Sequence, residues 1–138
     1  WRNSVIMYML LNSPEFAFCY LAGHKTGAVS CPVNYRLAPG ELALIIDDST
    51  PEIFVYDLEF SETARQALDF ARHKPRRVVA VGEGVPARPG DTPYGEYVAG
   101  RPGSDPVRLI GRTSTTKRRA LYFRHHQPGQ GRAHQQHQ

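Results

Sequence analysis

Short runs of bulky apolar residues recur along the chain, separated by stretches in which apolar residues return at helical spacing. The first run, Val5–Leu11, is continuous, which is typical of a strand covered on both faces. Three later runs, 28–33, 53–56 and 78–81, are predicted as further strands. Pro32 removes one ladder donor, so the second strand is expected to end there or to lie at an edge.

The segments between these runs carry helix start and stop signals. Ser13 and Pro14 suit the N-cap and first position of one helix, which Gly27 is expected to end. A second helix should begin near Pro39, and a third should be capped by Ser61. The resulting order, β-α-β-α-β-α-β, predicts an α/β fold: a partial, mostly parallel sheet with helices on both faces.

The pattern changes after the fourth strand. Residues 82–103 are rich in Gly, Pro, Asp and Arg, which indicates a surface loop with a helical turn only at Tyr94–Ala99. Beyond Asp105 the chain has no acidic residue. We therefore divide it into a folded part, 1–105, and an irregular tail, 106–138, which we expect to be disordered.

Charge follows the same division. The formal net charge of +4 is the sum of −3 over residues 1–105 and +7 over residues 106–138. The 41% apolar fraction is enough for a packed core and excludes wholesale disorder. No apolar run approaches the roughly 20 residues of a membrane-spanning helix. Two cysteines are too few for a disulfide scaffold, which favours a reducing, cytoplasmic setting.

Several candidate sites have simpler structural explanations. Gly82–Ala87 fits the G-x-G-x-x-A spacing of dinucleotide sites, but the prolines that follow it forbid the helix such a site requires. We therefore interpret it as a glycine-rich turn. Cys19 and Cys31 are expected to be buried thiols. His24 and His73 lie near helix ends, where a cation is favourable.

The tail offers two binding hypotheses. Its spaced histidines could hold a metal ion weakly, although no carboxylate or cysteine completes a site. The favoured interpretation is therefore a polar, unstructured end. These histidines are His125, His126, His134 and His137. Arg118–Arg124 mixes cations with aromatics, as in segments that contact phosphates and stack on bases. The acidic balance of the folded part argues against a nucleic-acid partner.

One long stretch resembles a known family. It comprises Met9–Phe16, Leu21–Val29, Pro32–Leu37, Glu41-Leu42 and Asp47–Ser49. Together these segments resemble the N-terminal region of the adenylate-forming enzymes: acyl-CoA synthetases, luciferase-like enzymes and peptide-synthetase adenylation domains. Within that superfamily the stretch is most similar to the medium- or long-chain fatty acyl-CoA synthetases. The resemblance covers about residues 4–82.

The resemblance implies a ligase that uses ATP, Mg²⁺ and CoA. A carboxylic (fatty) acid would attack the α-phosphate of ATP, and the CoA thiol would then displace AMP from the acyl-adenylate. In this family the matching stretch is mainly scaffold, so it transfers no catalytic side chain. The remainder of the large domain and the small C-terminal domain have no counterpart within the chain.

The family's phosphate-binding loop has only a degenerate counterpart. Thr113, Ser114, Thr115 and Thr116 match its hydroxyls, but its inner glycines and its Pro-Lys-Gly end are absent. Without glycines the backbone should lose its phosphate-cradling geometry. We hypothesise that the reading frame is damaged near Gly111, and we expect the chain alone to be inactive. Half of a split ligase and a nucleic-acid-binding module remain as alternatives, and uncovered sheet and helix faces favour self-association.

Overall fold

A parallel five-stranded sheet forms the centre of the folded part. The computed structural model describes residues 3–86 and 88–104, which lie within a compact unit spanning residues 1–108. The strand order is β2-β1-β3-β4-β5, and every neighbouring pair is parallel. The strands are β1 (Val5–Met9), β2 (Val29–Pro32), β3 (Ile53–Asp57), β4 (Arg77–Val81) and β5 (Thr92–Pro93).

Four helices connect or follow these strands: α1 (Pro14–Thr26), α2 (Pro39–Ser49), α3 (Ser61–Phe70) and α4 (Tyr94–Val98). The crossover from β1 to β2 runs in one direction along the sheet, whereas the later crossovers run in the other. Right-handed connections then require α1 to lie on the opposite face from α2 and α3. The buried residues agree with this arrangement: those of α2 and α3 belong to one apolar cluster, and those of α1 belong to another.

The core is divided by the sheet. On one face, Met7, Phe54 and Tyr56 pack beneath α2 and α3, which contribute Leu42, Ile46, Ala64, Ala67 and Leu68. On the other face, Tyr8, Val55 and Val79 pack beneath Phe16, Cys19 and Ala22 of α1 and the two tyrosines of α4. Alternate residues of each strand therefore serve opposite faces, as a doubly covered sheet requires.

The sequence predictions hold for the four principal strands and the first three helices. Ser13 caps α1, its hydroxyl accepting from the backbone N–H of Phe16, and Gly27 ends the helix in a left-handed conformation. Strand β1 ends at Met9, two residues earlier than expected. The prediction that 82–103 is only a loop with one helical turn missed β5, whose two residues pair with Val79 and Ala80.

The expected cap of the third helix was wrong. Ser61 is the first residue of α3 rather than its N-cap, because a 3-10 turn, Leu58–Phe60, precedes the helix. The carboxylate of Asp57 caps that turn by accepting from the backbone N–H of Glu59 at 2.9 Å. Within the described ranges, no helix is long and apolar enough to cross a membrane.

Candidate functional site

The strand order marks one place in the sheet as a candidate site. Connections leaving β1 and β3, which are neighbours, proceed to opposite faces, so a crevice opens beyond their carboxyl ends. Such topological switch points are where open parallel sheets bind ligands. The polar residues that end or follow the strands at this edge are Asn12, Ser13, Asn34, Asp57 and Glu83.

Three of these side chains stabilise their own loops. Ser13 Oγ accepts from Phe16 N at 3.4 Å, and Asp57 Oδ1 accepts from Glu59 N. Asn34 Oδ1 similarly accepts from Arg36 N at 2.9 Å. These bonds cap a helix, a 3-10 turn and a loop, which is ordinary structural use of Ser, Asp and Asn. At this edge Ser13, Asn34 and Asp57 therefore supply turn geometry.

The glycine-rich segment beyond β4 is a turn, as predicted. Gly82 and Gly84 have φ angles of +119° and +139°, which side-chain-bearing residues rarely adopt. The Leu58 side chain lies directly over both glycines, so a Cβ at either position would approach it to 3.5–3.6 Å. The next helix is α4, which begins only at Tyr94. A dinucleotide site needs a helix immediately after its glycines, so this segment does not have that geometry.

Both thiols are buried and unreactive. Burial raises the pKa of Cys19 and of Cys31 to about 11, so both remain protonated at neutral pH. Cys19 lies in the cluster beneath α1, whereas Cys31 lies in the cluster beneath α2 and α3. Because the sheet separates these clusters, the two sulfurs cannot form a disulfide with each other.

The histidines within the described ranges are also accounted for by local structure. His73 tethers a loop: its Nε2 lies 2.8 Å from the carbonyl oxygen of Pro51, and its backbone N–H donates to Asp47 Oδ1 at 2.8 Å. The ring of His24 packs edge-on against Tyr20 at 4.5 Å between centroids. In residues 3–86 and 88–104, no group of three potential metal ligands comes together.

A shallow cavity of about 280 Å³ lies at the other end of β4. Lys74, Arg76, Arg88 and Asp91 contribute to its lining. Lys74 Nζ already donates to the carbonyl oxygens of Leu68 and Ala71, and Arg76 pairs with Glu52 at 3.4 Å. These contacts give the two cations structural roles at the end of α3 and beside β3.

A buried polar contact joins β3 to the segment before β5. The hydroxyl of Tyr56 donates to Asp91 Oδ2 at 2.9 Å, and both residues are buried. Burial raises the pKa of Asp91, while the Tyr56 bond and the charge of Arg88 oppose that rise. The pair anchors the irregular segment to the sheet.

Comparison with protein families settles the class of this fold. Residues 2–108 match the family described as AMP-binding enzyme. The chain belongs to the AMP-binding enzyme family. The resemblance of the sequence segments to the adenylate-forming enzymes is thereby confirmed.

Relatives of this AMP-binding chain are CoA ligases. It is 31% identical over 101 residues to the 3-hydroxybenzoate–CoA ligase of Aromatoleum sp. (strain CIB), covering 73% of the chain and 18% of that enzyme. It is 35% identical over 75 residues to the crotonobetaine/carnitine–CoA ligase of Citrobacter koseri, covering 54% of the chain and 14% of that enzyme. The chain thus spans less than a fifth of the length of these relatives.

The fold agrees with solved structures of the same family. The crystal structure of a Brucella canis acyl-CoA synthetase superposes with a TM-score of 0.62 at 24% identity, over 77% of the chain and 19% of that structure. Parallel strand pairing and helices on both faces are therefore shared by this AMP-binding segment and that structure.

The predicted phosphate-loop residues, Thr113, Ser114, Thr115 and Thr116, lie outside the described residues. The basic segment Arg118–Arg124 and the tail histidines lie outside them as well. Sequence reasoning did not find the Tyr56–Asp91 contact. A tyrosine at the carboxyl end of a buried strand signals the need for a hydrogen-bond partner, but nothing in the sequence identifies Asp91 as that partner.

Proposed function

We propose that this chain is the N-terminal scaffold of an ATP-dependent acid–CoA ligase. Such an enzyme activates a carboxylic acid as an acyl-adenylate and transfers the acyl group to CoA. The observation that carries the proposal is the family match over residues 2–108, supported by relatives named as CoA ligases. ATP, Mg²⁺ and CoA would then be bound mainly by parts of the ligase outside the described residues.

The described residues would contribute structure to this reaction. The switch-point edge presents loops held by Ser13, Asn34 and Asp57, and the Gly82–Gly84 turn closes over Leu58. Since these bonds fix the loops at the carboxyl edge, they would keep that wall of the site in one conformation as substrates bind and leave.

We further propose that residues 106–138 do not form a working phosphate loop. The hydroxyls of Thr113–Thr116 are retained, but the sequence lacks the glycines that allow backbone N–H groups to approach phosphate oxygens. The chain alone would then form neither adenylate nor thioester. A domain boundary near residue 105 and a cytoplasmic location complete this proposal.

Two chimeras test the scaffold and the loop separately. In the first, residues 1–108 replace the matched segment of the Aromatoleum 3-hydroxybenzoate–CoA ligase, which keeps its own downstream loop. In the second, residues 1–120 are transferred, so that the chimera carries Thr113–Thr116. ATP–pyrophosphate exchange with 3-hydroxybenzoate should persist in the first chimera and fall to background in the second.

Any of three results would contradict the proposal. A folded first chimera without exchange would remove the scaffold role. Exchange by the second chimera, or turnover by the purified 138-residue chain, would show that the degenerate loop works.

The identity of the acid substrate is a separate question. The sequence resemblance predicts a fatty acid, whereas the relatives are named for 3-hydroxybenzoate and for crotonobetaine or carnitine. An exchange assay with the first chimera, across these acids and a series of fatty acids, would rank the classes. A preference that shifts toward fatty acids relative to the parent enzyme would assign part of the specificity to residues 1–108.

A further inference from the structure

The outward side of α1 is unusually apolar for a surface helix. Its exposed positions, here called the α1 outer face, are Pro14, Ala17, Phe18, Tyr20, Leu21, His24 and Lys25. Phe18, Tyr20 and Leu21 leave 53%, 49% and 49% of their surface accessible. Among the members of this face, only Lys25 carries a permanent charge.

Other helices of the same molecule show what a water-facing side looks like here. On α3, Arg65 pairs with Glu62 at 2.6 Å and with Asp69 at 3.0 Å, and all three side chains are substantially exposed. On α2, the exposed Leu44 is flanked along the helix by the exposed Glu41 and Asp48. A helix that is apolar on both its inner and its outer side is normally buried on both.

We infer that the α1 outer face packs against the remainder of the AMP-binding domain. The inference rests on the proposed function, because it takes the rest of a CoA ligase as the occupant. The chain matches only 18% of its Aromatoleum relative, so most of that enzyme's polypeptide must be placed around this segment. On α2 and α3 the exposed large apolar residues are single: Leu44 lies between the exposed Glu41 and Asp48, and Phe70 follows the exposed Asp69. On α1, by contrast, Phe18, Tyr20 and Leu21 adjoin one another, so the α1 outer face is the apolar surface on which further layers are expected.

The size of the face argues against a second copy of this chain as the occupant. Helix α1 has 13 residues, so one side of it offers about 20 Å by 10 Å, or roughly 200 Å². A stable dimer usually buries about 800 Å² on each partner. Within one domain the covalent chain holds the packed elements together, so a contact of helix size is sufficient.

A labelling experiment measures this burial without introducing a charge. Leu21 on the α1 outer face and Leu44 on α2 are both exposed leucines, so Leu21→Cys and Leu44→Cys form a matched pair. Each is made in the 138-residue chain and in the first chimera, and maleimide labelling is followed by peptide mass spectrometry. Cys19 and Cys31 are buried with raised pKa values, so they give little background.

The inference predicts fast labelling at both positions in the chain. In the chimera, position 21 should label at least about tenfold more slowly while position 44 stays fast. Equal labelling of position 21 in chain and chimera would overturn it. The inference would also be overturned if position 21 labelled fast both in the chimera and in a mixture of residues 1–108 with the separately produced remainder of the Aromatoleum enzyme.

A second arm tests the rival occupant and the link to function. If sedimentation of the chain shows a dimer that Leu21→Glu abolishes and Leu44→Glu preserves, the second copy is the occupant and the inference is wrong. Activity is read independently: protection of position 21 in a chimera that forms no adenylate would refute the proposed function and leave the docking surface standing.

Discussion

The two sides of the sheet are covered in different ways. Over one side, α2 and α3 pack against each other and against the strands, and their outer surfaces carry ion pairs such as Arg65–Glu62. Over the other side, α1 and the short α4 cover a smaller cluster, and α1 turns Phe18 and Leu21 outward. Both sides have buried cores, so the two sides differ in their outer surfaces. Exposed large apolar residues are single on α2 and α3, at Leu44 and Phe70, but adjoin one another on α1.

The largest expected effect is the difference in stability between removing a buried leucine on the α2–α3 side and removing an exposed leucine on the α1 side. Leu42 on α2 is fully buried, so Leu42→Ala should lower the free energy of unfolding by about 2–5 kcal/mol. Leu21→Ala on α1 should change it by less than about 0.5 kcal/mol in the isolated chain. Urea unfolding followed by circular dichroism measures both. Comparable losses would mean that α1 already buries its outer side in the chain alone.

The Tyr56–Asp91 bond belongs to the α2–α3 side and should be the next most costly to remove. Tyr56→Phe leaves Asp91 Oδ2 without this donor, at an expected cost of about 1.5–3 kcal/mol at neutral pH. The loss should shrink in acid, where a protonated carboxyl needs the donor less. An equal loss at both pH values would show that the hydroxyl stabilises the fold independently of the charge on Asp91.

Asp91→Asn provides the matching pH test. Burial raises the folded-state pKa of Asp91 above its ordinary value, so the folded protein binds this proton more tightly than the unfolded chain does. The contribution of Asp91 to stability is therefore full below the ordinary carboxyl pKa and is lost as pH rises through the raised one. The stability of Asp91→Asn relative to the unsubstituted protein should consequently increase with pH, as urea midpoints across that range would show.

A pair of helical glycines compares the contacts of the two sides. A Cβ at Gly23 of α1 would collide with Ser30 Oγ on β2, so Gly23→Ala should destabilise the protein by about 1–3 kcal/mol. A Cβ at Gly40 of α2 meets nothing within 4 Å, so Gly40→Ala should be neutral or stabilising by up to about 1 kcal/mol. Thermal unfolding measures both, and adding Ser30→Gly to Gly23→Ala should recover part of the loss. Without that recovery, close α1–β2 packing would not be the cause.

The smallest effect is expected on the charged surface of α3. Hydrogen bonds from Arg65 and then from Gln66 lower the pKa of Glu62 to about 2. Arg65→Ala should let that pKa rise toward the ordinary range, as carboxyl chemical shifts would report. The stability linked to this shift is present above the ordinary pKa and lost as pH falls toward 2. Because the groups are exposed and screened, the urea midpoint of Arg65→Ala at neutral pH should hardly move. A clear drop in that midpoint would show that the ion pairs of Arg65 stabilise the fold.

Much of the fold follows from local signals in the sequence. Continuous apolar runs indicated the four principal strands, and Ser13, Pro14 and Gly27 set the limits of α1 correctly. Strand β5 could not be predicted because its two residues, Thr92 and Pro93, form a strand only through pairing with β4. The prediction that Ser61 caps α3 was wrong because Asp57, earlier in the chain, supplies the capping oxygen for a 3-10 turn that leads directly into α3.

Less of the candidate site could be predicted from the sequence. The spacing at Gly82 and its following prolines correctly indicated a turn, because positive φ angles and helix breakers are local properties. The partnership of Tyr56 with Asp91 depends on the path of the intervening chain, and no periodicity encodes it. The switch point between β1 and β3 likewise emerges only when the strands are placed in order.

The order in which the strands pair has a consequence for synthesis. Strand β2 pairs with β1, β3 with β1, β4 with β3 and β5 with β4, so each new strand joins one made earlier. A chain leaving the ribosome could therefore extend this sheet strand by strand, without waiting for distant sequence. The nascent protein would gain an ordered sheet early, against which segments made later could pack.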